Sequence, residues 1–134
     1  MKAVYYRSAT LGYCPVKAYF SQYAGQETSP REKKILHDVD AIINHILENN
    51  GHSQHLKPLT GYTFQQVGMS GKTASILIRL LVFRHIDKLV LLGAFDKPRN
   101  YKGKKFDKAI DREYKIAEEN KKDFIRNSQS YDDY

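Results

Sequence analysis

The sequence predicts an α+β fold: a small, mostly antiparallel, curved sheet with two N-terminal helices and one C-terminal helix. Three observations predict it. Residues 75–95 read as a β-hairpin with two apolar arms. Residues 29–47 carry a helix-start signal followed by an apolar stripe of helical period. Along the chain the order is one strand, two helices, three strands and one helix. At 134 residues, 41% of them hydrophobic, the chain is long enough for one domain with a real core.

Each element has its own reason. Ala3 to Arg7 is a short apolar–aromatic strand. Cys14-Pro15-Val16 opens a short helix, with Pro where its missing N–H costs nothing. Val16, Tyr19, Phe20 and Tyr23 share one face, and Gly25 ends it. Ser29-Pro30-Arg31-Glu32 is a capping box with Pro at the first position. Ile35, Leu36, Val39, Ile42, Ile43, Ile46 and Leu47 form the stripe, and Asn50-Gly51 stops the helix. His52 to Leu59 reads as a polar loop, Thr63 to Val67 as a strand, and Gly68 to Gly71 as a turn.

The hairpin arms are Ser75 to Phe83 and Leu89 to Phe95, joined by Arg84 to Lys88. A basic loop, Lys97 to Gly103, leads into a final helix from about Lys104 to Ile125. Phe106, Ala109, Ile110, Tyr114, Ala117, Phe124 and Ile125 are its expected buried face. The domain is read as 1–126, with 127–134 a polar tail, mobile unless something docks it.

Composition excludes several classes. The lone Cys14 allows no internal disulfide, and with five scattered His no zinc motif can be written, so no metal and no cofactor is expected. The start, MKAVYYRSAT, lacks the apolar core of a signal peptide, and no run approaches a membrane span. No membrane partner and a cytoplasmic location are therefore expected. The net charge of +7 favours an anionic partner, a nucleic acid or an acidic protein segment.

Gly68 to Thr73 ends in Gly-Lys-Thr, as a phosphate-binding loop does. The first Gly of that motif is missing, since Gln66 stands in its place. The residues that follow read as a strand rather than a helix, so no helix N-terminus is available to hold phosphate.

Arg79 interrupts an apolar arm. A guanidinium in a sheet must pair with a carboxylate or face a wet groove, because an unpaired buried charge is costly. Lys97, Arg99, Tyr101, Lys102, Lys104 and Lys105 follow the hairpin with no acid among their basic residues. Arg79 beside this segment makes a surface suited to phosphate, against the plainer reading of a solvated basic loop.

Several motifs recur in one order: Gly12 to Phe20, Lys57-Pro58-Leu59-Thr60-Gly61, Arg79-Leu80-Leu81-Val82-Phe83, Leu91 to Pro98, and Phe106 to Arg112. In that order the chain resembles the RelE/HigB-like toxin superfamily of bacterial toxin–antitoxin systems. The resemblance covers nearly the whole chain. It departs at Val67, where many members carry an Arg, and at Pro98, which replaces the second Lys of a Lys-Lys pair.

The resemblance implies a toxin of a type II toxin–antitoxin system: a ribosome-dependent mRNA endoribonuclease that inhibits translation. Its partners would be a cognate antitoxin, mRNA and the ribosome. By resemblance the catalytic residues are Arg79, Lys97 and Tyr101. Lys57, Arg99, Lys102, Lys104 and Lys105 would grip RNA. A ParE-like inhibitor of a protein target such as DNA gyrase, or a basic RNA-binding module, are the alternatives.

Overall fold

A computed structural model describes residues 1–25, 29–70, 76–98 and 104–134. The fold is α+β, with three helices and a six-stranded mixed sheet. The elements are β1 (Lys2–Tyr6), α1 (Pro15–Ser21), α2 (Pro30–Glu48), β2 (Leu56–Pro58), β3 (Gln65–Ser70), β4 (Ile76–His85), β5 (Lys88–Pro98), α3 (Lys104–Arg126) and β6 (Tyr131–Asp133). The strand order is β2-β3-β4-β5-β1-β6.

β4 and β5 are the antiparallel hairpin. Only Ile86 and Asp87 separate them, so the turn is tighter than Arg84 to Lys88 suggests. The sheet is not antiparallel throughout. β1 lies parallel to β5, with Val4 opposite Val90, which makes the sheet mixed. A parallel partner so far away in the sequence leaves no local turn signal to read.

Two further strands correct the expected loops. β2 pairs with β3 inside the segment read as a polar loop. β6 pairs antiparallel with β1, so the tail at 127–134 is docked.

α2 begins as the capping box requires. The Ser29 hydroxyl accepts from the Glu32 backbone N–H at 3.3 Å, and Pro30 occupies the first turn. Its end is set by Asn50 at φ 54° and Gly51 at φ 84°, the left-handed pair that turns the chain back.

Strand alternation divides the core in two. Val67, Ile78, Leu80, Val82 and Leu91 face α1 and α2, where Val16, Phe20, Val39, Ile43 and Ile46 meet them. Leu81, Phe83, Val90, Leu92 and Phe95 face α3, where Ala117 and Phe124 meet them. Each fully buried aliphatic side chain contributes roughly 1.5–3 kcal/mol. On α3 the inward face is Ile110, Tyr114, Ala117 and Phe124. Ala109 and Ile125, expected inside, are exposed.

Candidate phosphate-handling site

Arg79 belongs to the α3 side of the sheet, because its strand neighbours Ile78 and Leu80 point to the other side. It is half-buried. In register it lies between Gly68 of β3 and Phe95 of β5. Gly68 makes room for it: a Cβ at that position would stand 3.2 Å from the Arg79 Nη1. A side chain on Gly68 would therefore displace the guanidinium.

Among the described residues no carboxylate lies within ion-pair distance of Arg79. The pairing alternative thus finds no partner there. The cation instead borders an aromatic and amide wall. The Tyr114 hydroxyl donates to the Gln66 Oε1 at 2.7 Å. The Tyr114 ring packs against Tyr62 at 5.3 Å, Phe64 at 6.3 Å and Phe95 at 6.1 Å. Burial raises the Tyr114 pKa, while the Arg79 charge pulls it down. Burial wins, and the hydroxyl, protonated at neutral pH as any phenol is, gives its hydrogen to Gln66.

Tyr114 is held in place from further along α3. Lys121 donates to the Thr63 carbonyl at 2.8 Å, and Thr63 donates to Glu118 at 3.1 Å. Asn120 donates to the Leu92 carbonyl at 3.0 Å. Together they clamp the helix across Thr63, just before β3, and the middle of β5.

The other predicted site residues divide sharply. Lys97 lies in β5, opposite Leu77 and two residues beyond Phe95, so it is diagonal in register to Arg79. Lys57 is exposed in β2, directly opposite Gln66. That puts it two strand spacings from β4, about 10 Å. Lys104 and Lys105 open α3. Arg99, Tyr101 and Lys102 lie outside the described residues.

Val67 is fully buried against α2. A cation at that position could not reach the Arg79 side of the sheet. On β3 the positions that reach it are Gln66 and Gly68. Sequence reasoning missed Gln66 altogether and gave Tyr114 only a packing role. The available signal was a Gln on one side of Val67 and a Gly on the other, both facing away from the core that Val67 joins.

No family model, curated protein or solved structure matches the chain.

Gly71, Lys72 and Thr73 of the Gly-Lys-Thr segment lie outside the described residues. Gly68 to Ser70 is strand, and Ile76 onward is strand again, with no helix following. Neither do the described residues gather three or more His, Cys, Asp or Glu as a metal site would need. No helix among them is long and apolar enough to cross a membrane.

Proposed function

We propose that this chain is a toxin of a type II toxin–antitoxin system that cleaves mRNA on the ribosome in the cytoplasm. The observation that carries the reading is Arg79: a half-buried guanidinium without a carboxylate partner among the described residues, given space by Gly68. Such a group is a ready receptor for an anion, and its planar fork suits two phosphate oxygens. The RelE/HigB-like motif order supplies the substrate class.

In this reading the ribose 2′-oxygen attacks the adjacent phosphorus and gives up its proton to a base. The bond to the 5′-oxygen breaks, that oxygen takes a proton, and a cyclic phosphate and a 5′-OH remain. Arg79 and Lys97 stabilise the charge gathered on the phosphate oxygens in the transition state. Tyr114, its hydroxyl tied to Gln66, forms the wall of the groove beside Arg79 rather than the proton donor, since burial makes it a weaker acid. Lys57 holds the RNA backbone from the neighbouring edge strand. An acidic, partly disordered antitoxin segment would neutralise the toxin by covering Arg79 and Lys97.

The test is to induce the chain in cells and map 5′-OH ends on mRNA, with translation initiation on and off. Ends that arise only during translation are expected. Growth arrest with intact mRNA and induced DNA damage response would favour the gyrase-inhibitor alternative. Induction without growth arrest would favour a plain RNA-binding module.

A further inference from the structure

The sheet edge opposite β2 is built around residues 131–134, and its chemistry is unusually explicit. β6 runs antiparallel to β1, with Tyr6 opposite Tyr131, Tyr5 opposite Asp132 and Val4 opposite Asp133. The Tyr134 N–H donates to the Ala3 carbonyl at 3.2 Å. Cations converge on the segment from three elements. Asp132 takes Arg7 at 3.1 Å and Lys17 at 3.2 Å. Asp133 takes Lys2 at 3.1 Å. The Tyr131 ring lies under Lys2 at 5.1 Å and Lys88 at 5.4 Å.

The hydrophobic anchoring is limited to Tyr131, packed against the α3-side core, and to Tyr134, edge-on to Tyr5. No residue of 131–134 is fully buried, and the ion pairs are largely exposed. Exposed pairs of this kind contribute about 0–1 kcal/mol each. The segment also leaves its site partly empty. Beside Tyr134 lies a cavity of about 420 Å³ whose walls include Tyr5, Phe20, Leu36 and Val39. Tyr134 only lines it, with its hydroxyl donating to Asp40 at 2.8 Å and its ring edge-on to Tyr5.

We infer that the β1 edge is a docking groove for an extended acidic segment of a partner protein, of pattern aromatic–acid–acid–apolar, and that residues 131–134 hold it in its absence. The partner strand adds to β1 through the same backbone register. Its two acids meet Arg7, Lys17 and Lys2. Its last apolar side chain enters the cavity that Tyr134 leaves open. The tethered segment competes through these individually weak contacts and its high local concentration, in the millimolar range for a short link. This surface is separate from Arg79, and the inference does not depend on the cleavage reading.

The probe is a fluorescent peptide, Gln-Ser-Tyr-Asp-Asp-Tyr, added to the full-length chain. Asp132→Lys sets a cation against Arg7 and Lys17 and expels the native segment. The peptide should bind this variant at least ten-fold tighter than the unsubstituted chain. Adding Arg7→Glu, or replacing both peptide acids with Lys, should abolish binding. Hydrogen exchange on the unsubstituted chain gives an independent readout: β6 amides should exchange well before those of β5. Peptide that fails to bind a folded Asp132→Lys chain overturns the inference. So does β6 exchange that occurs only with global unfolding. A concentration-dependent doubling of mass in the unsubstituted chain would assign the groove to a second copy and overturn the foreign partner.

Discussion

The two sides of the sheet are made by alternate residues of the same strands, yet they differ in kind. On the α2 side, the buried positions of β3 and β4 are Val67, Ile78, Leu80 and Val82, all hydrocarbon, with polar Gln65 and Arg84 only towards the strand ends. On the α3 side the same strands present Gln66, Gly68 and Arg79 before the apolar set resumes at Leu81 and Phe83. A half-buried cation with no carboxylate among the described residues, set inside the sheet rather than at a strand end, adds nothing to stability. On the proposed reading, the comparison makes stability and chemistry separable by strand parity. Neighbours in sequence should therefore fail in opposite ways.

Arg79 and Leu80 are the sharpest pair. Arg79→Ala should lower mRNA cleavage by about 10²–10³ while the melting temperature holds. Arg79→Lys should be strongly impaired too, since a point charge cannot reproduce the fork. Leu80→Ala, on the fully buried side, should cost roughly 2–5 kcal/mol of unfolding free energy in a urea titration. If Arg79→Ala melts early instead, the division between the two sides is wrong.

Gly68→Ala tests the same site more gently. The new methyl would stand 3.2 Å from Nη1 at the end of a flexible side chain, so the guanidinium shifts and the backbone stays. A drop in cleavage of about ten-fold, at nearly unchanged stability, is expected from such a displacement. An unchanged rate would show that Arg79 need not sit where Gly68 lets it.

A third test uses pH. Burial and a 2.7 Å bond to Asp123 push the Tyr6 pKa up to about 12. In the unfolded chain it lies near 10. Tyr6 therefore stabilises fully below about 10, and that contribution is lost as pH rises towards about 12. Tyr6→Phe should flatten this limb of the stability profile, and leave the pH dependence of cleavage alone. The smallest effect belongs to Lys108→Ala. It removes one exposed cation from α3 and should change neither melting nor cleavage measurably.

Short-range signals were legible in the sequence. The Ser29–Glu32 box, the α2 stripe and the apolar hairpin arms are local codes; the first two lie where they were read, and the arms run further than read, to His85 and Pro98. What depended on distant pairing was not legible. Nothing in Ala3 to Tyr6 announces a parallel partner at Leu89 to Leu91. Leu56 to Pro58 is too short and polar to stand out, yet β3 makes it a strand. Tyr131 to Asp133 looks like a solvated tail until Lys2, Arg7 and Lys17 are seen around it. In the site, Arg79 stood out because it breaks an apolar run. Tyr114 did not, because a tyrosine on an amphipathic helix looks like any other core residue until its hydroxyl finds Gln66.

The parallel pairing of β1 with β5 has a consequence for how this chain comes into being. On the ribosome β1 is made well before its partner strand β5, which is complete only once residues beyond Val90 have emerged. Until then its buried positions, Ala3, Val4 and Tyr6, have no sheet to join. The hairpin β4–β5 can close locally, whereas β1 must wait, and β6 must wait for β1. Non-local closure of this kind slows folding. The last step in assembling the sheet is thus the one at its β1 edge, and a nascent chain spends its longest unfinished interval with that edge open.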